Sequence, residues 1–190
     1  MILYHGTSES NGKKIMKEGF IPDKKYNWKI KSKSGFVYLS LAYAPFYAET
    51  AKNKSNMGAI IKVEVDERKL YPEDDFIMYS LGRPKYTQDE LDAVNVEKLR
   101  SLYKESLKYM GNVCGRSKDI KIIGVSYFDM SKLLFVCDPV ICPMNYKIMG
   151  SYYLSLTEWI YEGNLPQDFG MAVYLNLKKS SLYQEFLKGE

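Results

Sequence analysis

The sequence predicts a single mixed α+β domain, and three features predict it. Residues 58–66, GAIIKVEVD, alternate apolar Ile61, Val63 and Val65 with Lys62, Glu64 and Asp66, the two-residue period of a half-buried strand. Residues 87–110 instead repeat apolar side chains at intervals of three and four, as a helix does. A chain of 190 residues, 46% of them hydrophobic, can bury roughly 70% of the surface its unfolded form exposes, enough for one core rather than two. The domain spans 1–190, and residues 151–190 have room to form a C-terminal extension.

The elements follow in chain order. MILYH reads as a short buried strand ending at His5. SESNGKKIMKEGF supplies a Ser N-cap, an acid in the first turn, Ile15 and Met16 as apolar positions, and Gly19 at the C-terminal stop. Residues 23–35 are polar and basic, hence a loop, with Trp28 within it. GFVYLS (35–40) is the second strand, and Ser40 is placed to cap a helix over LAYAPFYAETAK, with Pro45 in its first turns. After the third strand, RKLYPEDDF is expected to leave the sheet. The helical stretch then runs from Thr87 to Met110 through Leu91, Val94, Leu99, Leu102, Tyr103 and Leu107, with Gly111 as its stop. NVCG, IKIIGVSYF and KLLFVCDPVIC are later strand candidates, and a small helix is expected from Ser180.

Composition narrows the function classes. Three cysteines, Cys114, Cys137 and Cys142, form no C-x-x-C pair and suggest neither a disulfide framework nor a cysteine zinc site; the chain reads as reduced and cytoplasmic. No apolar run approaches the ~18 to 20 residues of a membrane span, and the first residues lack signal-peptide order. The net charge of +4 is unevenly spread, with ten lysines against four acids in residues 1–54. That excess suits a phosphate-bearing ligand or a nucleic acid, and for Lys25 to Lys33 equally a solvated lysine-rich surface.

Several chemistries lack their residues. With His5 the only histidine, a zinc site would need carboxylates that do not align with it. Neither G-x-G-x-x-G nor G-x-x-x-x-G-K-[ST] occurs, so the common phosphate cradles are absent. No G-x-S-x-G elbow accompanies a serine nucleophile. What remains is a strand carrying His5 and, some thirty residues later, a strand carrying Tyr38-Leu39-Ser40.

That ordered set, YHGTS with a helix ending in G-F, then GFVYLS with a second helix, then GAIIKVEVD, resembles the ADP-ribosyltransferase superfamily over residues 2 to about 77. The resemblance implies two small packed β-sheets around an NAD cleft with flanking helices. It implies NAD as substrate, with ADP-ribose moved to an acceptor and nicotinamide released, and it requires no metal. His5 would bond the nicotinamide-side ribose as a neutral imidazole. Gly6 would let the ligand approach the backbone, Tyr38 would stack on nicotinamide, and Thr7, Ser40 and Tyr47 would complete the cofactor-binding set. The same H-G-T strand is shared with RNA 2′-phosphotransferases, whose second strand usually has His where Tyr38 stands. A catalytically inactive nucleotide-binding module is a further reading.

The family's third element is an acid that stabilises the oxocarbenium-like sugar. Three places compete for it. Gln88-x-Glu90 carries the letters of the arginine-modifying signature, yet Thr87 with Glu90 is equally a capping box. PEDDF offers Asp74 or Asp75 just after the third strand, or else a solvated acidic turn. The strand NVCGRS offers no acid, only Arg116. The acceptor, whether protein, nucleic acid or small molecule, is open; a compact form of this kind would suit a bacterial or phage effector.

Overall fold

The computed structural model describes residues 1–21, 33–51, 55–83, 85–132 and 157–163. Six strands lie in one antiparallel sheet: β1 (Ile2–Ser8), β2 (Phe36–Ser40), β3 (Met57–Val65), β4 (Leu70–Pro72), β5 (Asn112–Arg116) and β6 (Ile120–Asp129), in the order β4-β5-β2-β1-β3-β6. The helices are α1 (Glu9–Glu18), α2 (Ala44–Thr50), α3 (Asp74–Ser80), α4 (Gln88–Asp92) and α5 (Tyr103–Met110), with a further helical segment at 157–162. The fold is therefore mixed α+β, as expected, but with one sheet in place of two.

The sheet is nonetheless almost divided. β1 pairs with β3 along its whole length, from Ile2↔Glu64 to Ser8↔Gly58, whereas β1 meets β2 at a single register pair, Tyr4↔Ser40. β2 in turn pairs fully with β5. The halves β4-β5-β2 and β1-β3-β6 are joined in the middle by one rung.

Local sequence explains most boundaries. β1 runs three residues past His5 because Ser8 ends it by turning its hydroxyl onto the Asn11 amide, which opens α1; α1 stops at Gly19, whose N–H bonds the Ile15 carbonyl. In β3, the second half alternates as its sequence does, while Gly58 to Ile61 are buried on both faces. There α1 and α2 both pack on the strand, so the polar face disappears. α5 ends at Gly111 with φ 66°, a left-handed conformation that costs a side chain about 1 kcal/mol or more and glycine little.

Two expectations are corrected. The segment after β3 does not leave the sheet: Leu70–Pro72 pairs with β5 as the edge strand β4, and Pro72 is tolerated because an edge residue need not donate to a second neighbour. The stretch 87–110 is not one helix. It breaks after Asp92, and the Asn95 side chain accepts from the Glu97 amide to start a 3-10 turn before α5. The core lies where Leu3, Val37, Leu39, Ile61, Val63, Leu70 and Val113 meet Ile15 of α1 and Leu107 of α5. Among the described residues no helix is long and apolar enough to cross a membrane. Trp28, Cys137, Cys142, the later strand candidate KLLFVCDPVIC beyond its first residue, Lys132, and the helix expected from Ser180 lie outside the described residues.

Candidate active site

His5 sits at the seam of the sheet. Its Nδ1–H donates to the Tyr38 carbonyl at 2.9 Å, a bond from a side chain where a continuing β1–β2 ladder would have used a backbone amide. Phe20 stands edge-on to the ring, with centroids 5.2 Å apart. Burial pushes the imidazole down to about 4, so the ring is neutral at pH 7. With Nδ1 carrying the proton, Nε2 is left as an acceptor; the ring can take a hydrogen bond from a ligand hydroxyl rather than give one.

Directly paired residues share a face of a sheet, so Tyr4 and Ser40 do, and with Ser40 so does Tyr38; His5, next to Tyr4, projects to the other face. The contacts agree. Tyr38 packs against the cluster of Phe36, Tyr71 and Cys114, and its hydroxyl donates to Asp74. His5 and Tyr38 are thus linked through the Tyr38 carbonyl and not through facing rings.

Gly6 has a reason in the fold. A Cβ built there would lie 1.7 Å from the Ala44 carbonyl oxygen and 2.9 Å from the Ala48 amide, so the missing side chain lets α2 rest on β1. The expected use of that space by a ligand is replaced by a helix. Thr7 is buried on the His5 face of β1, opposite Ala59. Ser40 is buried too, and its hydroxyl accepts from the Ala42 amide at 3.2 Å and the Tyr43 amide at 2.7 Å while donating to the Gly111 carbonyl. It caps the elbow before α2 rather than the helix itself, whose first residue is Ala44. Tyr47 accepts at its hydroxyl from the Asn112 amide at 2.6 Å, and burial pushes its own pKa up.

The acids separate cleanly. Glu73 and Asp74 are 8% and 6% exposed, Asp75 is exposed, and together they open α3, Glu73 as its N-cap bonding the Phe76 amide. Burial, chiefly, pushes the Asp74 carboxyl up to about 7; Lys33 opposes the shift, and Asp75 and Asp92 add to it. Glu73 is likewise pushed up to about 7 by burial and by the charge of Asp75. Asp75 accepts from the Tyr86 hydroxyl at 2.5 Å. Lys33, the last of the basic run, donates to the Val94 carbonyl at 2.6 Å. Glu90 is elsewhere. It completes the capping box with Thr87, pairs with Arg83 at 3.2 Å, and those bonds hold its carboxyl below the ordinary range.

Arg116 is engaged as well, bonding Glu97 at 2.7 Å and lying 4.9 Å over the Phe36 ring. Among the described residues no group of His, Cys, Asp and Glu is placed to hold a metal ion. Glu73, Tyr86 and Lys33 were not singled out as site residues from the sequence; the signal for Glu73 was the apolar run Phe76-Ile77-Met78 directly after the acids, which marks the helix start as buried. Comparison of the chain with family models, with curated proteins and with solved structures gives no match.

Proposed function

We propose that the chain transfers ADP-ribose from NAD to an acceptor nucleophile with release of nicotinamide. The observation that carries this reading is the Tyr38–Asp74 pair one strand from His5, at the point where the β1–β2 ladder stops after one rung. Beyond Tyr4 no residue of β2 pairs with β1; Gly6, Thr7 and Ser8 are buried there, so His5 alone of this stretch is partly open at the seam. His5, on the other face, holds the Tyr38 carbonyl and so positions the strand that carries Tyr38.

The chemistry then needs one acid. The bond from the ribose C1′ to the nicotinamide nitrogen breaks, its electron pair leaves with nicotinamide, and positive charge develops on the sugar. Ionised Asp74 stabilises that charge, and as the acceptor attacks C1′ it takes the acceptor's proton; a carboxyl near 7 is suited to both parts. Tyr38, through its hydroxyl, holds the acid in place.

A second reading, a binding module without turnover, is favoured by the same pair, since the Tyr38 hydroxyl already engages the Asp74 carboxyl. Nicotinamide release from NAD separates the two. The transferase should release it, and Asp74→Asn should lower the rate by ~10²–10⁴-fold, the range for a positioned acid or base, while Glu90→Gln leaves it unchanged. Saturable NAD binding without release supports the module; no NAD binding overturns both.

A further inference from the structure

The helical segment at 157–162 is far in sequence from every residue considered so far, yet it touches the elbow between β2 and α2. Thr157 is fully buried, and its hydroxyl donates to the Ala42 carbonyl. The rest of the segment is anchored on the opposite half of the sheet: the Ile160 carbonyl accepts from Ser126 of β6 at 2.9 Å, Ile160 is buried, and the Tyr161 ring lies 6.2 Å from that of Tyr4 with the Lys62 ammonium 5.0 Å above it.

The elbow is short and polar, and its groups are accounted for from three directions. Ser40 holds the Ala42 and Tyr43 amides from within, the Gly111 carbonyl takes the Leu41 amide and the Ser40 hydroxyl from the end of α5, and Thr157 takes the Ala42 carbonyl. What the elbow sets is the entry of α2, and with it Ala44 against Gly6 and Tyr47 against Asn112. We propose that Thr157 is a positioning residue for the site: its hydroxyl fixes the β2–α2 elbow from β1-β3-β6, so that the segment 157–162 is part of the site's framework and not an appendage. One hydrogen bond to a buried carbonyl suffices, because leaving that carbonyl unpaired costs about as much as the bond's whole desolvation. The inference does not rest on NAD chemistry.

Hydrogen exchange of the full chain tests it, with Thr157→Val, which keeps the shape and removes the donor, and Thr157→Ser, which keeps the donor. Peptides covering 41–47 should exchange on the order of tenfold faster in Thr157→Val and at the original rate in Thr157→Ser, with β3 and β6 peptides unchanged in both. Unchanged exchange at 41–47 in Thr157→Val overturns the proposal, as does an equal acceleration of 41–47, β3 and β6. Where the unmodified chain binds NAD, Thr157→Val should also weaken that binding and Thr157→Ser restore it; a chain that does not bind NAD removes the reading above and leaves exchange to decide this one.

Discussion

The starts of α3 and α4 are built from the same material and behave in opposite ways. Each opens on a polar N-cap, Glu73 or Thr87, with two acids in its first turn. At α4 the acids face water, Glu90 closes a capping box and Arg83 pairs with it, and its carboxyl is held below the ordinary range. At α3 the chain has just left β4, so the same turn lies against Tyr38 of β2 and Ser106 of α5; Glu73 and Asp74 are buried and pushed up to about 7. Position in the fold, not residue type, decides which acid is a cap and which is a candidate for chemistry.

The sharpest way to break this comparison is the pH dependence of stability. Between about pH 4 and 7 the folded chain holds protons on Glu73 and Asp74 that the unfolded chain has released, so their contribution favours folding at low pH and is lost as pH rises toward 7. His5 acts the other way: between about 6.5 and 4 the unfolded chain takes a proton that the folded chain refuses, so its contribution is lost as pH falls. With roughly 1.4 kcal/mol per pH unit for each group, the two acids outweigh the one imidazole. Unfolding by denaturant at pH 5, 6 and 7 should show stability declining with pH by a few kcal/mol, and a Glu73→Gln, Asp74→Asn double variant should invert the slope. An unaltered slope in that variant means the two carboxyls are ordinary surface acids.

How much of this was legible in the sequence depends on the range of the interaction. The alternation in 58–66, the Ser8 cap, the Gly19 and Gly111 stops and the Thr87–Glu90 box are local, and each stands where its residues indicated. A three-residue edge strand carries no period, so Leu70–Pro72 was hidden behind its proline. The break at Asn95 was masked by apolar residues that keep helical spacing through a 3-10 turn. Whether Asp74 is solvated is a property of what packs on it, and nothing in PEDDF names Tyr38. Gly6 was read toward a ligand because the sequence does not contain the fact that Ala44 arrives there.

A smaller effect sharpens the same contrast. Tyr38→Phe removes the hydroxyl that meets Asp74 and leaves a buried carboxyl with one partner fewer, at a cost of about 1–3 kcal/mol at pH 8, where the acid is ionised, and less at pH 5, where it is protonated. Chemical denaturation at the two pH values reads the difference; equal losses would show that the hydroxyl is not engaged with the carboxylate. Smaller still is Glu90→Ala. It should cost less than the loss at Tyr38, since an exposed cap and a surface ion pair contribute little, and it should leave the pH slope between 5 and 7 unchanged. A larger loss, or any effect on NAD turnover, would move Glu90 back among the candidate acids.

The single rung between β1 and β2 also has a mechanical meaning. A continuous ladder transmits shear from one strand to the next at every second residue; here the load between the halves passes through Tyr4↔Ser40, the His5–Tyr38 bond and the clamp at Ala42. The sheet is therefore densely hydrogen-bonded within each half and sparsely across its midline, as two plates are when held by a few rivets. A molecule that touched both His5 and β2 would splint that seam, and its binding would register as a gain in rigidity across the whole sheet rather than at the residues it touches.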